Sequence, residues 1–280
     1  MIEGIKLRNL TVTFPNGTSA LKNCTIELKR GNTYLVTGTT ASGKSTLLRF
    51  LKGIVPLFYP ATIQGEILIN DNALAIEEFW ENRNRMGYLF QDPPLQMIGS
   101  SVERDLAFGL ENLALEPAMI RKKIDEMAQR LGITHLMTRS PRELSGGEVA
   151  LVALASILVL QPQLWLLDEF TAFLDVKARK RVIQTIEAAR TSDQIVLIVS
   201  HHLADILPIT DEVIVLDKGE VVLQVAGERF FSHHTDLIEP LLRIPEFYSI
   251  GASLCKSRGI DPIFGTSDEL RRLLRGENID

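Results

Sequence analysis

Gly38-Thr39-Thr40-Ala41-Ser42-Gly43-Lys44-Ser45 fits the pattern G-x-x-x-x-G-K-[ST], and Thr46 follows it. The glycines let backbone N–H groups wrap a phosphate chain, and a helix starting there adds partial positive charge. Lys44 would reach the β- and γ-phosphates, and the Ser45 hydroxyl would bind Mg²⁺. Asp168-Glu169 supplies the other half of such chemistry. These two acids end the apolar run Leu164-Trp165-Leu166-Leu167. A carboxylate at the C-terminal edge of a strand faces the ligand crevice of an open α/β sheet. Asp168 would hold Mg²⁺ through water, and Glu169 is placed to polarise the attacking water. After an apolar strand alone, the pair reads as a solvated strand end; the phosphate loop upstream gives it a role. The chemistry implied is hydrolysis of a nucleoside triphosphate. The N-K-x-D pattern of guanine recognition does not occur.

These residues need elements to position them. Thr33 to Thr37 is a short apolar strand that enters the glycine-rich turn, and Ser45 to Lys52 reads as a helix. Ile5, Leu7, Val12 and Phe14 alternate with polar neighbours before the turn Pro15-Asn16-Gly17, so the first thirty residues read as strands. Glu66 to Asn70 and Met86 to Phe90 are further short strands. Residues 100–137 carry helical periodicity, from Leu106, Leu110 and Leu113 to Ile120, Ile124, Met127 and Leu131, with Gly132 closing the helix. Leu164 to Leu167 and Ile195 to Val199 are apolar strands with a helical pattern, Val176 to Ala189, between them. That βαβ order predicts parallel strands in a buried sheet. Glu212 to Leu216 and Val221 to Val225 flank Asp217-Lys218-Gly219, a hairpin signal. Residues 227–280, with Pro240, Pro245 and Pro262 and a helical fragment from Asp268 to Leu274, read as a small helical appendage.

Composition excludes several classes. Of 280 residues, 45% are hydrophobic and 23% charged, which excludes a disordered chain. A net charge of −5 argues against nucleic-acid binding by bulk charge. Cys24 and Cys255 lie far apart in no metal or disulfide spacing and read as small buried apolar residues in a reducing compartment. The longest apolar run, Val149 to Leu160, is short of the roughly 20 residues a bilayer needs and reads as a buried core helix. Charges in MIEGIKLRNL interrupt the stretch a signal peptide would use. The expected place is the cytosol or the cytosolic side of a membrane partner.

Leu144-Ser145-Gly146-Gly147-Glu148 narrows the class. It resembles the LSGGQ signature of ATP-binding-cassette (ABC) ATPases. Gly146 and Gly147 free the backbone at a helix start, where Ser145 and the N–H groups can cap a γ-phosphate. The resemblance implies that this phosphate belongs to a second subunit. It extends over residues 1–226 and through further motifs in order. Gln91 matches the Q-loop glutamine that contacts Mg²⁺ and the attacking water. Thr171-Ala172-Phe173-Leu174-Asp175 resembles the D-loop, which crosses the dimer interface. His201 matches the switch histidine on the γ-phosphate, while its neighbour His202 has no motif role and is expected to be solvated. Phe14 matches the aromatic that stacks on adenine, the alternative being an ordinary core phenylalanine. Three features depart from the family pattern. The signature ends in Glu148, Val149-Ala150-Leu151 replaces the usual basic residues, and Phe170 and Phe173 replace the usual Pro and Gly.

Within that family, Phe90-Gln91-Asp92-Pro93-Pro94-Leu95-Gln96 and then Val102-Glu103-Arg104-Asp105-Leu106-Ala107-Phe108-Gly109-Leu110-Glu111-Asn112 look like the ATPase subunits of energy-coupling-factor (ECF) and cobalt-type transporters. The resemblance implies an α/β P-loop fold: a mostly parallel sheet with N-terminal antiparallel strands and a helical subdomain over roughly 91–160. It implies an ATP-binding domain at 1–226 and a helical extension at 227–280 that helps hold a dimer. It also implies ATP and Mg²⁺ as cofactors and import of a vitamin or transition-metal ion. Its implied partners are a second copy or a paralogue, a multi-pass membrane coupling subunit and a substrate-binding membrane subunit, with no nucleic acid. Another ABC importer ATPase and a soluble non-transport ABC ATPase stay open as alternatives. No residue here is expected to touch the transported solute.

Overall fold

A computed structural model describes residues 2–230, 238–242, 244, 246–260 and 267–276. The strands are β1 (Gly4–Thr13), β2 (Ser19–Lys29), β3 (Thr33–Gly38), β4 (Thr62–Ile69), β5 (Asn72–Leu74), β6 (Met86–Leu89), β7 (Leu164–Asp168), β8 (Ile195–Val199), β9 (Glu212–Asp217) and β10 (Glu220–Ala226). The helices are α1 (Lys44–Lys52), α2 (Ile54–Leu57), α3 (Ile76–Glu81), α4 (Val102–Asn112), α5 (Pro117–Arg130), α6 (Gly146–Leu158), α7 (Val176–Ala189), α8 (Leu203–Ile206), α9 (Glu246–Ser257) and α10 (Ser267–Leu274). Among the described residues two sheets form, with orders β2-β1-β4-β5 and β10-β9-β3-β8-β7-β6. The first is antiparallel throughout. The second is parallel from β9 to β6, with β10 antiparallel at its edge.

The parallel strands are buried on both faces, and their alternation sorts side chains into two cores. Tyr34, Val36, Leu164, Leu166, Leu197 and Val199 face one core, shared with β1, β2 and α1. Leu35, Trp165, Leu167, Val196 and Ile198 face the other, shared with α4, α5, α6 and α7. Each fully buried Leu or Ile is worth about 1.5–3 kcal/mol over its exposed state. Helix α6 is apolar nearly all round, with Val149, Ala150, Leu151, Val152, Ala153 and Leu154 all buried, as the run from Val149 predicts. Cys24 and Cys255 are both buried. Ile238, Leu242, Tyr248, Cys255 and Leu270 pack into the second core, so the described part of the tail lies against the helical side. Pro245 and Pro262 lie outside the described residues.

The single helix expected within 100–137 is two. Pro117 has no N–H to continue a helix and fits only its first turn. It stands at the start of α5, with Glu116 held extended (φ −60°, ψ 139°) before it. Ala114 takes a left-handed φ of 52° in the break, and Gly132 ends the second helix at φ 67°.

Register lines up the strand ends. Leu89 pairs with Leu167, Asp168 with Val199, and Val199 with Val36. The residues just beyond β6, β7, β8 and β3 therefore gather at one edge of the sheet. The same edge holds the β9–β10 turn, whose Gly219 N–H donates to Ser42 O (3.1 Å).

Candidate functional site

The loop between β3 and α1 exists because two positions admit only glycine. Gly38 (φ 143°) and Gly43 (φ 102°) adopt backbone that other residues rarely take. A Cβ on Gly38 would collide with the Leu216 carbonyl, and one on Gly43 with the Ala20 carbonyl. Thr39 Oγ1 donates to Asp217 Oδ1 (2.7 Å) and anchors the loop to β9. Lys44 is the first residue of α1 and is only 5% exposed. Its Nζ donates to Gly38 O (3.1 Å) and Thr39 O (2.7 Å). Burial lowers the pKa of its ammonium, against the pull of Glu169 and Asp168.

Asp168 ends β7 at 1% exposure. Ser45 Oγ donates to its Oδ1 (2.9 Å), and Tyr88 Oη to its Oδ2 (2.8 Å). Burial raises its pKa, and those two donors hold it down. Glu169 follows in a left-handed conformation, φ 44°, a strained choice for a residue with a Cβ. Its Oε2 accepts from Gln91 Nε2 (3.2 Å), and its Oε1 lies 3.1 Å from His201 Nε2. The hydrogen bond from His201 lowers the Glu169 pKa. A cleft of about 490 Å³ joins Ala20, residues 40–46, Gln91, Glu169 and His201.

The LSGGE segment lies in another cleft, of about 450 Å³, with Gly146, Gly147, Phe173, Leu174 and Asp175. The two clefts share no lining residue. Ser145 caps α6 through a reciprocal box: Glu148 N–H donates to its Oγ (3.4 Å), and its own N–H donates to Glu148 Oε2 (2.8 Å). The Ser145 hydroxyl also donates to Glu148 Oε2 (2.7 Å), which holds that carboxyl below its ordinary pKa. Asp175 caps α7 through Ala178 N–H (2.8 Å). The two phenylalanines of this region part ways: Phe170 is buried at 2% exposure, and Phe173 is 77% exposed.

Phe14 stands at the turn after β1 and is half-buried against the first core. It does not line the phosphate-loop cleft, whereas Ala20 does. His202 departs from expectation. It is half-buried rather than solvated, because Arg179 on α7 reaches back to it, with Nη1 3.3 Å from His202 Nε2. Asp205 Oδ2 accepts from Arg179 Nε (2.6 Å) and completes the cluster. Burial, then the nearby Arg179 charge, lowers the His202 pKa. Sequence reasoning also passed over Ala20, Tyr88 and Asp217. Asp217 sits in the hairpin signal, but nothing local shows that β9 lies beside β3.

The cradle and its chemistry suit a nucleotide with a hard divalent cation. Both glycines stand where any side chain would block the loop, and a buried cation sits at its centre. Ser45, Asp168 and Gln91 offer oxygen donors, the set that suits Mg²⁺. No cluster of three or more His, Cys, Asp or Glu that could hold a metal occurs among the described residues.

A parallel sheet with such a loop at the end of β3 and acids at the end of β7, on the far side of β8, defines a P-loop nucleoside triphosphatase. The family model described as ABC transporter matches residues 21–172. The energy-coupling factor transporter ATP-binding protein EcfA1 of Latilactobacillus sakei is 33% identical over 253 residues, 90% of this chain and 89% of that protein. The energy-coupling factor transporter ATP-binding protein EcfA of Methanosarcina acetivorans is 35% identical over 229 residues, 81% of each. The solved structure of cbiO1 from Clostridium perfringens, part of the ABC transporter complex cbiONQ, matches with a TM-score of 0.74 at 29% identity, covering 86% of this chain and 94% of that one. The chain belongs to the ABC transporter family and is one of its ATPases, similar to the energy-coupling factor ATP-binding proteins.

Proposed function

We propose that this chain is the ATPase subunit of an ECF-type importer for a vitamin or transition-metal ion, working as a pair of ATPases at the cytosolic face of a membrane. The observation that supports the pairing is the separation of the two clefts. The phosphate-loop cleft holds Lys44, Glu169 and His201, and the LSGGE cleft shares none of its residues. In this reading one chain presents two incomplete halves. Two chains facing each other would bring Ser145, Gly146, Gly147 and Asp175 of one onto Lys44, Ser45, Gln91, Asp168, Glu169 and His201 of the other. Residues 1–226 form the ATP-binding part in this reading, residues 91–160 its helical subdomain, and the tail from 227 supports the pair.

Within each site the contacts support the following roles. Lys44 exchanges the Gly38 and Thr39 carbonyls for phosphate oxygens. Residues 38–46 wrap the phosphate chain with backbone N–H groups. Ser45, Asp168 and Gln91 would hold Mg²⁺, which would supply positive charge against the phosphate oxygens. Glu169 is the base that takes a proton from water, and His201 orients it while reaching the γ-phosphate. Copurification tests the transport reading. A multi-pass membrane protein captured with this chain supports it, together with a small substrate-binding membrane subunit for the ECF type. A chain purified alone from solubilised membranes in its native host would overturn it. No described helix is long and apolar enough to cross a membrane, so attachment runs through that partner.

Phe14 carries its own test. If its ring stacks on adenine, Phe14→Ala weakens ATP binding by about 1–3 kcal/mol, the range for base–aromatic stacking. Calorimetric titration measures that loss, while the nucleotide-free melting temperature moves little. A large drop in melting temperature with ATP affinity unchanged assigns Phe14 to the core instead.

A further inference from the structure

We infer that Tyr88 is a positioning residue for the metal site: its hydroxyl fixes the Asp168 carboxylate in the orientation that turns Oδ1 toward Ser45. This rests on the reading above, in which Asp168 and Ser45 hold the cation.

The placement begins with the strand. β6 is buried at all four of its residues, and Tyr88 is 5% exposed. A phenol in such a strand must find a partner for its O–H. The parallel register pairs Tyr88 with Leu166, two residues before Asp168, and the Tyr88 side chain spans that offset. Its Oη donates to Asp168 Oδ2 at 2.8 Å in a buried contact. A hydrogen bond to an ionised, desolvated carboxylate is of the stronger kind.

The bond divides the labour of the carboxylate. Ser45 Oγ takes Oδ1 (2.9 Å) and Tyr88 takes Oδ2. A carboxylate at 1% exposure has little solvent to satisfy a second oxygen, so without Tyr88 its Oδ2 loses the donor that fixes its orientation. A group that locks the rotamer of a metal-facing carboxylate sets how well the cation binds.

Tyr88 is itself locked from the Q-loop side. The Phe90 ring packs edge-on against it, with centroids 4.9 Å apart and planes at 84°. Gln96 clamps the same turn: its Nε2 donates to Tyr88 O (3.2 Å), and its Oε1 accepts from Phe90 N–H (3.2 Å). Tyr88 thus bridges Asp168 and the segment carrying Gln91.

The test is Tyr88→Phe in the full chain, which keeps the ring and deletes the donor, with Asp168→Asn as control. Mn²⁺ serves as the probe, its binding to the ATP-loaded protein read by electron paramagnetic resonance. ATP affinity in EDTA is measured in parallel. Tyr88→Phe should weaken Mn²⁺ binding about 10-fold, the lower end for the loss of a ligand-orienting partner. Metal-free ATP affinity should stay at the wild-type value, and turnover should recover at saturating metal. Mere destabilisation would not separate these readouts. Wild-type Mn²⁺ affinity in Tyr88→Phe, with the control weakened, overturns the proposal and leaves the site reading standing. Unchanged affinity in Asp168→Asn overturns the site reading itself. Tyr88→Leu, apolar and smaller, replaces the Phe variant with the same expected split if that variant fails to fold.

Discussion

Glu169→Gln chains bind ATP but hydrolyse it about 10²–10⁴-fold more slowly than wild type, the usual contribution of a positioned general base. The contacts explain why so small a change acts so strongly. Both carboxylate oxygens of Glu169 face donors, Gln91 Nε2 at 3.2 Å and His201 Nε2 at 3.1 Å. An amide keeps the shape but gives up the charge, and turns one acceptor into a donor aimed at Gln91 or His201. The side chain can no longer take a proton from water. With the γ-phosphate uncleaved, two chains stay clamped around it. Size-exclusion chromatography with and without ATP reads that state, and a phosphate-release assay reads turnover. Near-wild-type turnover would remove Glu169 from the role of base.

What could be read from the chain and what could not divides along sequence distance. The phosphate loop is local: eight consecutive residues carry it, and the glycine positions it demands are those the fold uses. The strands β7 and β8 and the helix α7 were legible because buried parallel strands are short apolar runs and an amphipathic helix has its own period. The break at Pro117 is local too, but the apolar period from Leu106 to Leu131 runs across it and reads as one helix. Other features needed tertiary structure. His202 looks solvated until Arg179, on α7, is folded against it. Tyr88 reads as one more apolar strand residue until the β6–β7 register brings it to Asp168. The family motifs closed part of that gap. They place Gln91, Asp168 and His201 together, as the strand ends do, but they say nothing of side chains particular to this chain.

Mixing Lys44→Ala chains with Ser145→Arg chains restores a fraction of wild-type ATP hydrolysis, although each variant alone is nearly inactive. The expectation follows from two clefts with no residue in common. Lys44→Ala removes the buried cation of the phosphate loop from every site in its own homodimer. Ser145→Arg places a long side chain at the start of α6 and disables the other half of every site. It also deletes a helix cap, at a cost of about 0.5–2 kcal/mol, so its melting temperature is checked first. In a mixed dimer both lesions fall in the same composite site. The second site joins a sound Lys44 to a sound Ser145 and turns over. Mixed dimers are confirmed by tagging the two chains differently and purifying through both tags. If the chain pairs only with a paralogue, the same cross is run on that pair. Activity restored by mixing cannot come from a site complete within one chain, because each chain is broken somewhere. Confirmed mixed dimers with no recovered activity would overturn independent composite sites and leave the two sites obligatorily coupled.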